Sequence, residues 1–219
     1  MTIILATAVN AQTTVGQNLD SKQKAIVGIA GLTGKGDLSK LPDELNRGLD
    51  AGLTINQIKE TLMHVYAYAG FPRSLRGLQT FMAVVDERKA KGIKDVLGAD
   101  ASPISDNRSK YERGKAILEE LSGVAEIGPK TGYAAFAPTM EVFLKEHLFA
   151  DIFERDVLTY QQRELVTISV LSGIGGVEPM LRSHFNLSLN VGLTPVQLQE
   201  FVAVNKPSAK RKAMLPKKC

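Results

Sequence analysis

The chain holds one cysteine, no tryptophan and only three histidines in 219 residues. Its single thiol, Cys219, leaves no intrachain disulfide, no C-x-x-C pair and no cysteine cluster for zinc. Dithiol chemistry within one chain is excluded with them. Aromatics are few, at 6%, which argues against a surface built to stack nucleic-acid bases. No apolar run reaches the length that spans a bilayer. The three histidines, His64, His147 and His184, never stand one helical turn apart, so neither a metal nor another cofactor is expected.

What is present is ordinary for a folded domain. The chain is 44% apolar and 23% charged, which is enough to build a core and does not suggest disorder. The formal net charge of +4 comes from one end: after Val204 the chain reads NKPSAKRKAMLPKKC, with six lysines and arginines and no acid. The rest is therefore mildly acidic. That tail, residues 206–219, reads either as a solvated end or as an anchor for an anionic surface. At the other end TIILATAVNAQ is apolar and then small, with Val9-Asn10-Ala11 resembling a cleavage site. Residues 1–18 are expected to be a signal remnant, placing the protein in the periplasm or otherwise exported; a frayed arm on a cytoplasmic protein is the alternative.

One stretch occurs twice. Residues 46–60 read NRGLDAGLTINQIKE and residues 186–200 read NLSLNVGLTPVQLQE, matching without a gap at Asn46/Asn186, Leu49/Leu189, Gly52/Gly192, Thr54/Thr194, Gln57/Gln197 and Glu60/Glu200. The separation is too long for a solenoid and indicates two copies of one domain. Each copy reads as helix, tight corner, helix. Gly52 and Gly192 stop one helix. Thr54 with Gln57, and Thr194 with Gln197, form capping boxes for the next; Leu53 with Ile58, and Leu193 with Leu198, form the hydrophobic staple. Pro195 falls at a first helical position, where its missing N–H is harmless.

The organisation follows. A first repeat over 19–98 contains helices at 22–32, 42–51, 54–69 and 74–91, with Gly70-Phe71-Pro72 separating the last two. Residues 99–109 are turn-rich and read as a linker. A second repeat over 110–205 contains helices at 110–121, 139–153, 161–171, 178–191 and 194–204. Gly34-Lys35-Gly36 and Gly173-Ile174-Gly175-Gly176 lack the strand and spacing of phosphate loops and read as corners between helices. No alternating strand is evident, so the fold class is all-α.

Arg163-Glu164-Leu165-Val166 followed by Glu178, His184 and Gly192-Leu193-Thr194, together with HVYAYAGFP at 64–72 and FLKEHLFADIFERDVLT before Tyr160, resemble the carboxymuconolactone decarboxylase family, which includes the alkylhydroperoxidase D-like proteins. The resemblance covers about residues 20–98 and 110–204. It implies an alkylhydroperoxidase D-like helical bundle in two tandem repeats, a homo-oligomer of trimer size or larger, and a small organic acid or lactone as ligand rather than nucleic acid. The peroxidase branch of that family carries a C-x-x-C pair before its histidine. Here those positions hold Val177 and Met180, and in the first copy Asp37 and Lys40. A peroxiredoxin-like activity is therefore disfavoured.

Decarboxylation asks for less. It needs a positioned acid of near-neutral pKa to protonate carbon, and a donor or cation facing the developing oxyanion. The expected catalytic residues are His184 as the acid, Glu164 orienting it, and His64. The alternative for Glu164 is a salt bridge with Arg163 or Arg182. Arg182, Tyr68 and Glu178 are the expected substrate contacts, with Arg182 either holding a carboxylate or lying on the surface. The first copy has Glu44 where the second has His184, and Lys24 in place of Glu164; His64 matches Val204. One composite site per chain is the simplest arrangement, with His64 from the first copy or from a neighbouring subunit. The other class of function is a non-catalytic helical binding or scaffold protein.

Overall fold

In a computed structural model, described over residues 18–204, every regular element is helical and no strand occurs among the described residues. The order is α1 (Ser21–Lys35), α2 (Leu41–Asp50), α3 (Ile55–Ala90), α4 (Lys110–Ser122), α5 (Gly132–Phe136), α6 (Pro138–Phe143), a π-helical segment (Leu144–Phe153), α7 (Tyr160–Ile174), α8 (Glu178–Asn190) and α9 (Pro195–Val204). The expected signal segment lies outside the described residues but for its last member, Asn18, and the basic tail lies wholly outside them. No helix among the described residues is long and apolar enough to cross a membrane.

Helix ends form where local chemistry directs them. Thr54 accepts from the Gln57 amide and Gln57 returns the bond to the Thr54 N–H; Thr194 and Gln197 do the same for α9. Leu53, Ile58, Leu193 and Leu198 are all buried around these corners. The linker is no loose tether. Just before it, the Val96 and Leu97 carbonyls accept from the Ile55 and Asn56 amides, two of the N–H groups that a helix start leaves without internal partners. Asn56 Nδ2 holds it further, through Gly98 O, Ala99 O and Asp100 Oδ1 at 3.0–3.2 Å.

Two expectations change. The residues at 139–153 do not form one α-helix: α6 passes into a π-helical segment whose wider turn brings Lys145, Leu148, Phe149, Ile152 and Phe153 to the buried side. Gly34 and Gly173 are not corners but lie inside α1 and α7. A side chain at Gly34 would meet Val170 Cγ1 at 3.0 Å, and one at Gly173 would meet the Gly31 carbonyl at 3.1 Å. These glycines let α1 and α7 pack closely. The break expected at Gly70 is present, with φ 76° and ψ 168° inside α3, and Pro72 follows in the new first turn where it loses no hydrogen bond.

α1 and α7 are the central pair. Ten successive residues of α7, Arg163 to Ser172, are buried, as befits a helix surrounded on all sides. α2 and α3 pack on α1, α8 packs on α7, and α3 also crosses α7. One core joins both halves of the chain, from Ile26 and Leu45 to Leu165 and Phe185. A second cluster of Ile117, Leu121, Leu148, Phe149 and Phe153 lies between α4 and the π-helical segment.

Candidate active site

The α3–α7 crossing carries a polar ladder through an apolar core. Glu60, His64 and Tyr68 succeed one another at i, i+4 and i+8 on α3, which places them on one face. Arg163 and Thr167 share a face of α7 by the same rule. The rungs follow in order. Arg163 Nη2 donates to Glu60 Oε1 at 2.8 Å, and Arg163 Nη1 lies 3.2 Å from His64 Nδ1. His64 Nε2 lies 2.9 Å from Thr167 Oγ1, and the Thr167 hydroxyl donates to the Tyr68 hydroxyl at 3.3 Å. Arg155 closes the far end on Glu60 with two bonds of 2.8 and 3.1 Å.

Glu164, next to Arg163, points to the neighbouring helix. Its Oε2 lies 2.9 Å from His184 Nδ1 on α8. Glu164 is wholly buried, and its other oxygen, Oε1, has no hydrogen-bond partner. A carboxylate so enclosed accepts from Nδ1–H and leaves Nε2 as the working nitrogen. His184 lines a cavity of about 740 Å³ bounded by Leu118, Leu144, Leu148, Phe149, Leu171, Met180 and Leu187, with Tyr68, Tyr133, Ser122, Ser183, Asn186 and Asn190. No Asp, Glu, Lys or Arg is in that lining. Tyr68 and His184 meet edge to face, with centroids 5.8 Å apart.

Burial depresses the His64 pKa well below its usual value, helped by the Arg163 and His184 charges, so this imidazole is neutral. Burial and then the Glu164 charge raise the Tyr68 pKa, so the phenol keeps its proton. Burial lowers the Arg163 pKa against the opposing bond and charge of Glu60.

No family model matches this chain, and no curated protein is significantly similar to it. The geometry therefore carries the functional argument.

Of the six residues singled out from sequence, four come together in one chain. His184 and Tyr68 line the cavity, Glu164 is bonded behind His184, and His64 lies behind Tyr68, outside the lining. Arg182 and Glu178 do not join them. Both are exposed, neither lines the cavity, and Arg182 makes no ion pair among the described residues. Their place on α8 explains this: His184 shares its face with Leu181 and Ser188, which pack inward, whereas Arg182 projects from another. Glu164 pairs with neither Arg163 nor Arg182. His147 lies apart, between Asp151 and Tyr66. No group of three metal-ligating side chains occurs among the described residues.

Glu60, Arg163 and Thr167 are the members of the site that sequence reasoning missed. Their signal was a polar residue every fourth position on two otherwise apolar helix faces. A buried Arg at such a spacing demands an acid, and Glu60 is the one within reach.

Proposed function

We propose that this protein is a carboxymuconolactone decarboxylase-like enzyme, an alkylhydroperoxidase D-like bundle of two tandem repeats that removes CO₂ from a small carboxylated lactone or related acid. The observation that carries the proposal is the Glu164–His184 pair, a buried carboxylate bonded to an imidazole that lines an apolar cavity. The two-repeat reading draws support from the paired corners, Thr54/Gln57 and Thr194/Gln197, and from the packing of α1 on α7, their counterpart helices. At the positions matching His184 and Glu164, Glu44 pairs with Arg47 and Lys24 with Glu200, so only the second copy keeps the dyad.

The chemistry requires little more than this wall. Apolar surroundings strip water from the substrate carboxylate and favour the uncharged product, CO₂. The C–C bond breaks, its electron pair moves into the lactone carbonyl as an enolate, and carbon then takes the proton from His184 Nε2–H. Glu164 holds the ring by Nδ1 and balances the imidazolium before transfer. Solvent reprotonates Nε2. A homo-oligomer fits the exposed Phe71, Leu75 and Met82 on the second half of α3. Peroxiredoxin-like chemistry finds no thiol at Val177 or Met180.

The test is incubation with 4-carboxymuconolactone, following CO₂ by mass spectrometry. Turnover that disappears in His184→Ala supports the proposal. A folded, helical protein with no turnover of that lactone refutes this substrate. A second reading, a non-catalytic binding protein, is favoured by one observation: the lining holds no Lys or Arg to grip a carboxylate. Tight binding of a neutral lactone without CO₂ release would establish it instead.

A further inference from the structure

The buried ladder has a direction, and one end of it sets that direction. A guanidinium has only donors, so Arg163 Nη1, 3.2 Å from His64 Nδ1, requires that nitrogen to be the acceptor. The proton of the neutral imidazole is then on Nε2, which donates to Thr167 Oγ1 at 2.9 Å. With its oxygen accepting from His64, Thr167 turns its own proton to Tyr68, 3.3 Å away. The Tyr68 oxygen thus receives a hydrogen bond, while its own O–H has no acceptor among the described residues. Tyr68 lines the cavity beside His184, so that proton is available to a ligand there.

We infer that the Tyr68 hydroxyl is the donor that binds the substrate's carbonyl oxygen and the enolate it becomes, held in that role by a one-way hydrogen-bond chain that starts at Arg163. Four properties of the molecule converge on it. Arg163 cannot turn, because Glu60 Oε1 and the Arg155 carbonyl hold its Nη2. His64 is fully buried, stacked on Tyr68 and edge-on to Phe153, so its ring is fixed in orientation. Thr167 is fully buried, so bulk solvent does not compete for its hydroxyl. The cavity lining offers no Lys or Arg, and His184 is committed to carbon, so an oxygen that gains charge there needs another donor.

A preorganised donor of this kind costs no reorientation when charge develops. A chain of hydrogen bonds all running one way polarises each member, so a donor fed from behind is a better donor. The division of labour at the wall follows: Tyr68 meets the oxygen, and His184 delivers the proton to carbon. Tyr68 touches the ligand; Thr167, His64 and Arg163 are positioning residues that never reach it. The identity of the ligand oxygen rests on the decarboxylase reading, whereas the direction of the chain does not.

The two can be tested separately on the full-length protein. Nitrogen-15 NMR of the unliganded protein at neutral pH is expected to show His64 protonated on Nε2 and bare on Nδ1. For the donor, the probe is 4-nitrophenolate, an oxyanion on an apolar ring, titrated by its absorbance. Tyr68→Phe is expected to bind it roughly tenfold more weakly, the loss typical of one hydrogen bond to a charged group. Thr167→Val keeps the side-chain shape and never touches the probe, yet it should weaken binding in the same direction, with Thr167→Ser restoring it. A His64 proton on Nδ1, a wild-type protein that does not bind the probe, or Tyr68→Phe or Thr167→Val proteins that bind like the parent would each overturn the inference. If the probe results hold and no carboxylated lactone is turned over, the decarboxylase reading fails alone.

Discussion

His184 Nδ1 lies 2.9 Å from Glu164 Oε2, and the bond joins a helix in the centre of the molecule to one that borders its cavity. That contact makes a directional prediction. Glu164→Gln keeps size and can still touch Nδ1, but it removes the charge that balances an imidazolium. Turnover is expected to fall about 100-fold, with an unchanged far-UV circular dichroism spectrum. Turnover equal to the parent's would remove Glu164 from the mechanism.

The Glu60–Arg163 pair is buried on both sides, at 2% and 0% side-chain exposure. Removing one partner strands the other. Glu60→Gln is expected to cost about 3–5 kcal/mol, measured by urea unfolding, because a guanidinium is left uncompensated in the core. Glu60→Leu combined with Arg163→Met should be less destabilising than Glu60→Gln alone. A double variant that is the weaker of the two would show that the pair itself contributes more than its desolvation cost.

His64 supplies a pH dependence. Its folded-state pKa lies below the ordinary 6.5, so the unfolded chain takes the proton first. Above 6.5 neither state is protonated there and the site costs nothing. As pH falls below 6.5, stability declines towards the folded pKa, with a limiting slope of about 1.4 kcal/mol per pH unit for one proton. Thermal melts between about pH 6.5 and 5 should therefore fall less steeply for His64→Gln than for the parent. Parallel curves would contradict the neutral, buried imidazole.

Gly114 tests how α4 meets the π-helical segment. In a helix interior alanine is ordinarily the better residue by about 1 kcal/mol. Here a Cβ would stand 1.9 Å from the Lys145 carbonyl oxygen, a backbone atom that cannot step aside. Gly114→Ala is expected to destabilise by about 1–3 kcal/mol. A variant that melts higher than the parent would mean that the two elements are not in contact at this distance.

Much of this was legible along the chain. The two corners were, because a glycine, a threonine and a glutamine at fixed spacing satisfy backbone groups within five residues of themselves. The break at Gly70 was, since it needs only a residue that tolerates positive φ with a proline two places on. Glu164 and His184 were chosen correctly as neighbours, but through motif order rather than geometry. From sequence Arg182 stands between holding a carboxylate and lying on the surface, because spacing from His184 does not say what a helix packs against; in the fold it is exposed and outside the cavity lining. The π-helical segment left no mark in the pattern, since one extra residue per turn alters a hydrophobic period too little to detect over ten residues.

The sequence by itself indicated most of the helices, where most of them stop, and which side chains share a face, for these follow from interactions within a few residues. It also excluded thiol-pair chemistry through the lack of cysteine. Only the tertiary structure decided which faces meet. The crossing of α3 over α7 matched Glu60 with Arg163 and His64 with Thr167, about a hundred residues apart in sequence. That pairing made an imidazole neutral and gave a hydrogen-bond chain its direction. Burial and partnership set the chemistry of an ionisable group, and both are properties of packing.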